Sequence, residues 1–550
     1  MAEGGRGRAD DLVRETVRET DPLGIGTATL TFIMFTAIPR FFNDGKGDNY
    51  GVVSKLEGTL LLSRSTFPYF MLVAFEGGGP VRALILLLAS PFLFLLESLS
   101  LESISLKIMI FISMAGLKVT DVKAVAKAVL PRFFLKDLRA SAFKKFSCSS
   151  RHGKKYVVTL CPRIIVEAFL REYLNVDGVF GAELRIFDGY CTGFVSSPVL
   201  MSGFCETESL TLAIGDDTSI NSGFCDASKS PCDSFTSLFQ RRFIVAVEDD
   251  PSPLQRKDYP RPLIFHDGRL VVKPTPLNCL AILLWIPIGL LIAIFRLLAA
   301  KLLPCKLGLV AAAATGMKIG AKFHTCHPRD INNLPFNNNT NKNPCTLYVC
   351  SHRTLIDPVM VANVLQRPVT AVTYSLSWVS EMLSPIRTVR LSRDRVKDGE
   401  AMRGLLKKGD LVVCPEGTTC REPYLLRFSP LFSEVAEVIV PVAVEAKGSM
   451  FYGTSVRGHK GLDSFFFLMN PRPEYHLEFL KNIIVGTQLS TSPSIINGDY
   501  RKPSSFEIAN RVQRLIGDAL GFECTNLTRR DKYRMLAGND GIDPRMRIHN

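Results

Sequence analysis

The sequence predicts an α/β protein of two α/β domains with apolar, membrane-type segments beside and between them. Three observations carry that prediction. From about Lys318 to Phe522 short apolar runs alternate with helix-patterned stretches, with strands expected near Leu347, Ala371, Val389, Val412 and Ile439 and helices after Asp357, Ser377 and Lys397. Such alternation marks βαβ units, whose working residues sit on loops at strand ends. Nearer the N-terminus, residues 156–160 read as a further strand. Between the two, residues 274–295 carry no charge and are interrupted only by Pro276 and Pro287. A chain of 550 residues is long enough for two or three cores.

Composition narrows the partners. Lys+Arg 66 against Asp+Glu 52 leaves a net charge of +14, which suits a membrane surface, phosphates or an acyl-CoA. No basic stretch is interleaved with aromatics, so nucleic acid is set aside. The fourteen cysteines are scattered without CxxC spacing, which points to reduced thiols in a cytosol-facing protein and to no metal site.

Residues 1–20 are polar and mixed in charge, and are expected to be disordered as part of an N-terminal segment 1–49. Within it the uncharged run 22–39 is either a membrane anchor or an extension peculiar to this chain. In the next segment, 50–245, Val52-Val-Ser-Lys-Leu-Glu-Gly-Thr-Leu60 resembles the first motif of haloacid-dehalogenase-type phosphatases, where a strand delivers Asp-x-Asp-x-Thr. Lys55 and Glu57 stand at the two aspartate positions. The resemblance makes the first the phosphoryl-accepting nucleophile, and an ammonium group can neither attack phosphorus nor bind Mg²⁺. Gly215-Asp-Asp-Thr-Ser-Ile220 resembles the motif Gly-Asp-x-x-x-Asp, keeping Asp216 but placing Ile220 at the last carboxylate. A haloacid-dehalogenase-like fold that has lost its reaction is therefore expected. Inside it the apolar stretch 68–96 reads as a membrane-associated insertion or, alternatively, as a buried core helix. A Pro-rich linker and a transmembrane or re-entrant hairpin are expected over 246–317, an enzymatic α/β domain over 318–525, and a charged tail over 526–550.

The chemistry concentrates in Val349-Cys-Ser-His-Arg-Thr-Leu-Ile-Asp-Pro358. His352 and Asp357 are five positions apart, about 140° around a helix, so they cannot share a helix face but can meet at a turn between a strand and a helix starting at Asp357-Pro358. A histidine with its tautomer fixed by a carboxylate is a ready general base. Downstream come Thr388-Val-Arg-Leu-Ser-Arg393, Pro415-Glu-Gly-Thr-Thr-Cys-Arg421 and Val438-Ile-Val-Pro-Val442. The four blocks, in this order, resemble those of the glycerolipid acyltransferases. The longer run from Cys414 to Phe432 is similar to the land-plant glycerol-3-phosphate acyltransferases of cutin and suberin synthesis.

That resemblance implies acyl transfer from acyl-CoA, as co-substrate, to glycerol 3-phosphate at the sn-2 hydroxyl, giving lysophosphatidic acid without a further cofactor. It implies His352 as base oriented by Asp357, and Arg390, Arg393, Glu416, Gly417 and Thr418 as acceptor-binding residues, Arg390 being equally readable as a solvated strand-end charge. It also implies an integral membrane protein of the endoplasmic reticulum, or alternatively of a mitochondrial membrane, with the acyltransferase domain facing the cytosol. Two other functions stay open: a bifunctional acyltransferase and phosphatase releasing monoacylglycerol, against which Lys55 and Ile220 speak, and a non-catalytic membrane lipid-binding protein. Cys350 and Cys414, on apolar strand ends, are expected to be buried rather than nucleophilic.

Overall fold

Parallel strands buried on both faces organise both halves of the chain. The computed structural model describes residues 51–149, 153–196, 220–226, 239, 241–245, 252–324, 345–374, 376–485 and 503–541. The apolar run 22–39 and Asp216 lie outside the described residues.

The first sheet contains β1 (Gly51–Lys55), β2 (Lys155–Pro162) and β3 (Gly178–Ala182); after a hairpin of β4 (Leu184–Phe187) and β5 (Tyr190–Val195) come β6 (Ile220–Asp226) and β7 (Arg241–Val245). Its order is β3-β2-β1-β6-β7 and every pairing is parallel. Ile220 opens β6 in register with Gly51, at the end of the sheet away from Lys55. Parallel pairing thus separates Ile220 from Lys55 by the length of β1, roughly 13 Å at 3.3 Å per residue.

The stretch 68–96 divides into two helices with different roles. α1 (Phe67–Gly78) is a core helix, buried at every residue from Phe67 to Phe75. α2 (Pro80–Ser98) packs on it through Ala83, Leu86 and Leu93 while Val81, Leu84, Ile85, Leu88, Phe92 and Leu95 face outward. Only α2 therefore has a face for lipid, because α1 spends its apolar surface on the domain's own core. The layer continues with α3 (Glu102–Met114), α4 (Val119–Ala128), α5 (Leu130–Asp137), α6 (Ala140–Ser149) and, after β2, α7 (Arg163–Leu174).

α8 (Pro276–Leu302) is 27 residues, about 40 Å long at 1.5 Å per residue, starting on a Thr275 cap that accepts from the Asn278 amide. Its inner stripe, Cys279, Ile282, Gly289, Ala293, Arg296 and Ala299, is buried and its other faces are exposed leucine, isoleucine and phenylalanine. α9 (Cys305–Ala314) folds back against α8. α2 and α8 are the two described helices long and apolar enough to cross a bilayer by length and composition. Yet α8 is attached at mid-length: Trp285 Nε1 donates to Met469 O at 2.7 Å, and Arg296 Nη1 to Leu468 O at 2.6 Å and Asn470 O at 2.9 Å. It lies along the second domain instead of leaving it.

That domain starts with β8 (Lys318–Phe323), β9 (Leu347–Cys350), α10 (Asp357–Leu365), β10 (Val369–Thr373), α11 (Trp378–Leu383), β11 (Arg387–Arg390), α12 (Arg395–Leu406) and β12 (Asp410–Val413). It continues with β13 (Tyr424–Leu425), β14 (Val438–Lys447), α13 (Asp463–Leu468), β15 (Glu474–Phe479), β16 (Ile483–Ile484), α14 (Ser505–Leu520), β17 (Glu523–Cys524) and α15 (Arg529–Ala537). The sheet order is β11-β10-β12-β9-β14-β15-β8; from β11 to β14 all pairs are parallel, so their C-terminal ends share one edge. The tail is not simply a charged appendage. Thr528 and Asp531 form a capping box for α15, which buries Lys532, Tyr533 and Leu536, and β17 pairs with β13 beside the active-site loop.

Candidate active site

β9 and β12 are neighbours, with Val413 opposite Val349, so the loops that follow them leave the sheet side by side. The first loop folds around Asp357. This carboxylate is fully buried and receives His352 Nδ1 at 3.0 Å, the Arg353 amide at 2.6 Å, the Thr354 amide at 2.9 Å, the Thr354 hydroxyl at 2.8 Å and the Tyr475 hydroxyl at 2.8 Å. Five donors leave it one orientation, with both oxygens engaged as acceptors. With Nδ1 protonated toward Asp357, Nε2 of the partly exposed His352 ring is the lone-pair nitrogen that can take a proton.

The second loop braces the first. Glu416 Oε1 accepts the His352 amide at 2.7 Å and Oε2 accepts the Leu426 amide at 3.0 Å. Burial pushes its pKa up against the lowering effect of these two amides. Glu416, expected among the acceptor-binding residues, is 4% exposed and spends both oxygens on main chain, on amides of two neighbouring loops that would otherwise be buried without partners. Gly417 turns that loop at φ 66°, in the left-handed region, with its amide on Cys414 O at 3.1 Å. Thr418 is buried in the same loop, and the Cys420 amide donates to His352 O at 2.8 Å.

The two arginines part company. Arg390 Nη2 donates to Glu381 Oε2 at 2.9 Å and Leu376 O at 3.1 Å, and Nε also contacts Glu381, so this guanidinium is engaged at the sheet edge. Arg393, just beyond the same strand, is exposed at φ 72°, its loop held by Asp398 through the Arg393 amide at 2.9 Å. Its side chain makes no hydrogen bond or ion pair among the described residues.

Cys350 and Cys414 meet with sulfurs 3.3 Å apart at the roots of the two loops. Contact with the Cys350 thiol, then burial, hold the Cys414 thiol well above its ordinary range, which leaves it a poor nucleophile. In the first domain, Glu57 is turned onto β2, accepting from the Thr159 hydroxyl at 2.5 Å and the Leu160 amide at 3.2 Å, with burial pushing its pKa up.

Tyr475 and Arg353 complete the site. Tyr475 reaches Asp357 from β15, which antiparallel pairing with β14 brings beside the parallel strands, and no local motif in the sequence marks it. Arg353 stitches the loops together, Nη1 donating to Glu422 O and Nη2 to Arg421 O, both at 2.9 Å.

Behind the catalytic loop an apolar cavity opens between the second domain and the α8–α9 hairpin. Leu355 and Ile356, which lie between His352 and Asp357, line it, as do Leu297, Leu309, Ala312 and Leu468.

A family described as "Glycerol-3-phosphate acyltransferase RAM2-like, HAD-like domain" matches residues 51–245, and the family "Acyltransferase" matches residues 333–445. The chain is 45% identical over 496 residues to "Glycerol-3-phosphate acyltransferase RAM2" of Petunia hybrida, covering 88% of this chain and 97% of that one. It is 46% identical over 498 residues to "Glycerol-3-phosphate acyltransferase 1" of Arabidopsis thaliana, covering 88% and 81%. It is also 44% identical over 498 residues to "Probable glycerol-3-phosphate acyltransferase 2" of the same plant, covering 90% of each.

Proposed function

The chain belongs to the plant glycerol-3-phosphate acyltransferases, and from that premise we propose a general-base mechanism in which His352 activates the sn-2 hydroxyl of glycerol 3-phosphate. The observation that carries it is the His352–Asp357 pair, with Nδ1 engaged and Nε2 available. Nε2 takes the hydroxyl proton as the oxygen attacks the thioester carbonyl of acyl-CoA. The carbon–sulfur bond then breaks, coenzyme A leaves as the thiol, and Asp357 stabilises the imidazolium while the proton is in transit. The scheme uses acyl-CoA as co-substrate and calls on no metal or cofactor.

Each substrate has a place. The cavity lined by Leu355 and Ile356 takes the acyl chain, since its apolar walls reward burial at roughly 0.8 kcal/mol per CH₂. The phosphate goes to Arg393, whose guanidinium fork can engage two oxygens and is unpaired among the described residues. Gly417 and Thr418 shape the loop and Glu416 holds it. The product leaves as lysophosphatidic acid, because Lys55 stands where a phosphatase of this fold needs a carboxylate nucleophile and Glu57 is bound to β2.

The outward faces of α2, α8 and α9 embed in a bilayer, and the mid-length attachment of α8 supports a hairpin that enters and returns instead of a crossing. Acyl-CoA is cytosolic, so the acyltransferase domain faces the cytosol, on the endoplasmic reticulum. An extracellular polyester such as cutin or suberin is the destination suggested by the family likeness.

Purified protein in nanodiscs, supplied with labelled glycerol 3-phosphate and acyl-CoAs of several lengths, tests the scheme through the isomer formed. His352→Ala is expected to abolish turnover while leaving membrane insertion intact; substantial turnover by that variant would refute it.

A further inference from the structure

The acyltransferase site is braced by charged residues that the phosphatase-like domain and the linker push into the protein interior. Arg132, on α5, is 9% exposed, and its Nη1 donates to Nε2 of His266 at 2.9 Å. On the other side of the ring, Nδ1 lies 2.8 Å from Oε1 of Glu422, at an angle short of ideal hydrogen-bond geometry. Oε2 of Glu422 is in contact with Arg256. Burial, first of all, pushes the His266 pKa down to about 3, and Glu422, although burial opposes it, is held near about 2 by His266, Arg256 and Arg132. A neutral imidazole thus relays between a guanidinium and a carboxylate.

A second chain of contacts runs beside the first. Arg421 Nη1 donates to Gly268 O at 2.8 Å and Nε to Thr454 Oγ1 at 2.9 Å, and Nη2 lies 3.7 Å from Asp267. The guanidinium groups of Arg421 and Arg132 sit 4.4 and 4.7 Å from the ring centre of Tyr452. Asp267 also accepts the Val456 and Arg457 amides, both at 3.1 Å, and its own amide donates to Ala128 O at 2.8 Å at the end of α4. Glu76, on α1, accepts the Arg269 amide at 2.6 Å.

Both chains end on one peptide. Arg421 and Glu422 are held by their side chains, and their carbonyls hold Arg353, the residue after the catalytic histidine. We propose that Arg132 and His266 are positioning residues for acyl transfer: the domain that has lost phosphatase chemistry fixes the Arg421–Glu422 peptide, and through Arg353 it fixes the attack geometry of His352. This rests on the general-base reading above. The logic is that of a second layer, in which a group remote from the substrate sets the angle of the group that touches it, and an ångström of misplacement costs far more rate than binding.

The test compares Arg132→Met, Arg132→Lys and His266→Gln with the wild type, as full-length protein in nanodiscs, with His352→Ala alongside. Methionine keeps volume and removes the donor; lysine can restore a donor to Nε2; glutamine can offer a donor and an acceptor at about the imidazole spacing. Arg132→Met is expected to lower kcat about tenfold or more per folded molecule, with KM for glycerol 3-phosphate and for acyl-CoA within about twofold. Arg132→Lys and His266→Gln are expected to recover most of that loss. Wild-type kcat in folded Arg132→Met, or a loss that follows the folded fraction alone or appears only in KM, overturns the proposal. If Arg132→Met fails to fold, His266→Leu, which keeps an apolar side chain there and removes both ring nitrogens, decides by the same split: a kcat deficit at unchanged KM sustains the proposal, and wild-type kinetics in that variant refutes it. An active His352→Ala would instead remove the mechanism on which it rests.

Discussion

Replacing Asp357 by asparagine isolates the charge that orients the base, because the shape of the side chain is kept while its five incoming donors lose an anion. The amide can be accommodated on one side only. Turned toward His352 Nδ1 and the Arg353 amide it would set donor against two donors, so it faces the Thr354 and Tyr475 hydroxyls, which can rotate to accept, and there opposes the Thr354 amide, 3.1 Å from Oδ1. The native state then loses charge assistance in several bonds, about 3 kcal/mol in total. The rate effect is larger. At 3.0 Å and an effective dielectric of about 20, the carboxylate stabilises the imidazolium formed during attack by at most about 5.5 kcal/mol, or about 10⁴ in rate. That agrees with the roughly 10⁴-fold loss on the same substitution in Ser-His-Asp hydrolases. We expect kcat to fall 10³- to 10⁴-fold with KM values little changed, measured as single-turnover formation of labelled lysophosphatidic acid in nanodiscs. A folded Asp357→Asn enzyme keeping more than about a tenth of wild-type kcat would refute the orienting role.

The two arginines give a contrast within one strand end: Arg393→Ala should raise KM for glycerol 3-phosphate roughly 10- to 100-fold through loss of a charge-assisted contact, whereas Arg390→Ala, removing an exposed pair with Glu381, should change it less than about threefold, and steady-state kinetics that reversed the order would reassign the phosphate site. Filling the cavity by Ala312→Phe should depress kcat/KM for palmitoyl-CoA about tenfold and spare octanoyl-CoA, and equal losses with both donors would place the chain elsewhere. Thermal unfolding should show a stability falling from pH 6.5 toward pH 3: the unfolded chain takes up a proton at His266 in that window and the folded chain, with its imidazole held near about 3, does not, a loss of roughly 2 kcal/mol by pH 5 that His266→Gln should remove. Incubation with Mg²⁺, glycerol 3-phosphate and acyl-CoA should release no free phosphate, and stoichiometric Mg²⁺-dependent release would mean Lys55 does not disable the first domain.

Much of the site was legible because its parts follow local rules. His352 and Asp357 sit within one strand-to-helix turn, and an Asp-Pro pair at a helix start needs no tertiary knowledge to read. Strand alternation likewise forecast which ends would converge. What sequence could not supply was adjacency. Tyr475 meets Asp357 only because β15 runs antiparallel beside β14, and Glu416 faces inward only because β9 and β12, some sixty positions apart, are neighbours in the sheet. The apolar stretch 68–96 was ambiguous for the same reason. α1 and α2 are both predominantly apolar, and only packing distinguishes the one covered by α2, α3 and α4 from the one with an open face. The register that carries Ile220 away from Lys55 is also a matter of strand pairing, which a motif of six residues does not encode.

The arrangement answers a problem set by the substrates, which prefer different media. A long acyl chain is most stable out of water and a phosphate dianion is most stable in it, so the attacking hydroxyl and the thioester must meet where an apolar wall and a cationic rim are within one molecule's reach. The His352 loop satisfies this within six residues: Leu355 and Ile356 point into the cavity walled by α8 and α9, while the chain on either side joins the polar bracket of Asp357, Glu416 and Arg353. A loop pulled toward both environments would drift without fixed supports. The supports come from buried ionic groups, whose pairing is strongly destabilising to break, although such groups add little net stability. Positional definition is what they supply, and the first domain can serve as an anchor for them, because α1, α4 and α5 are packed into its own buried core.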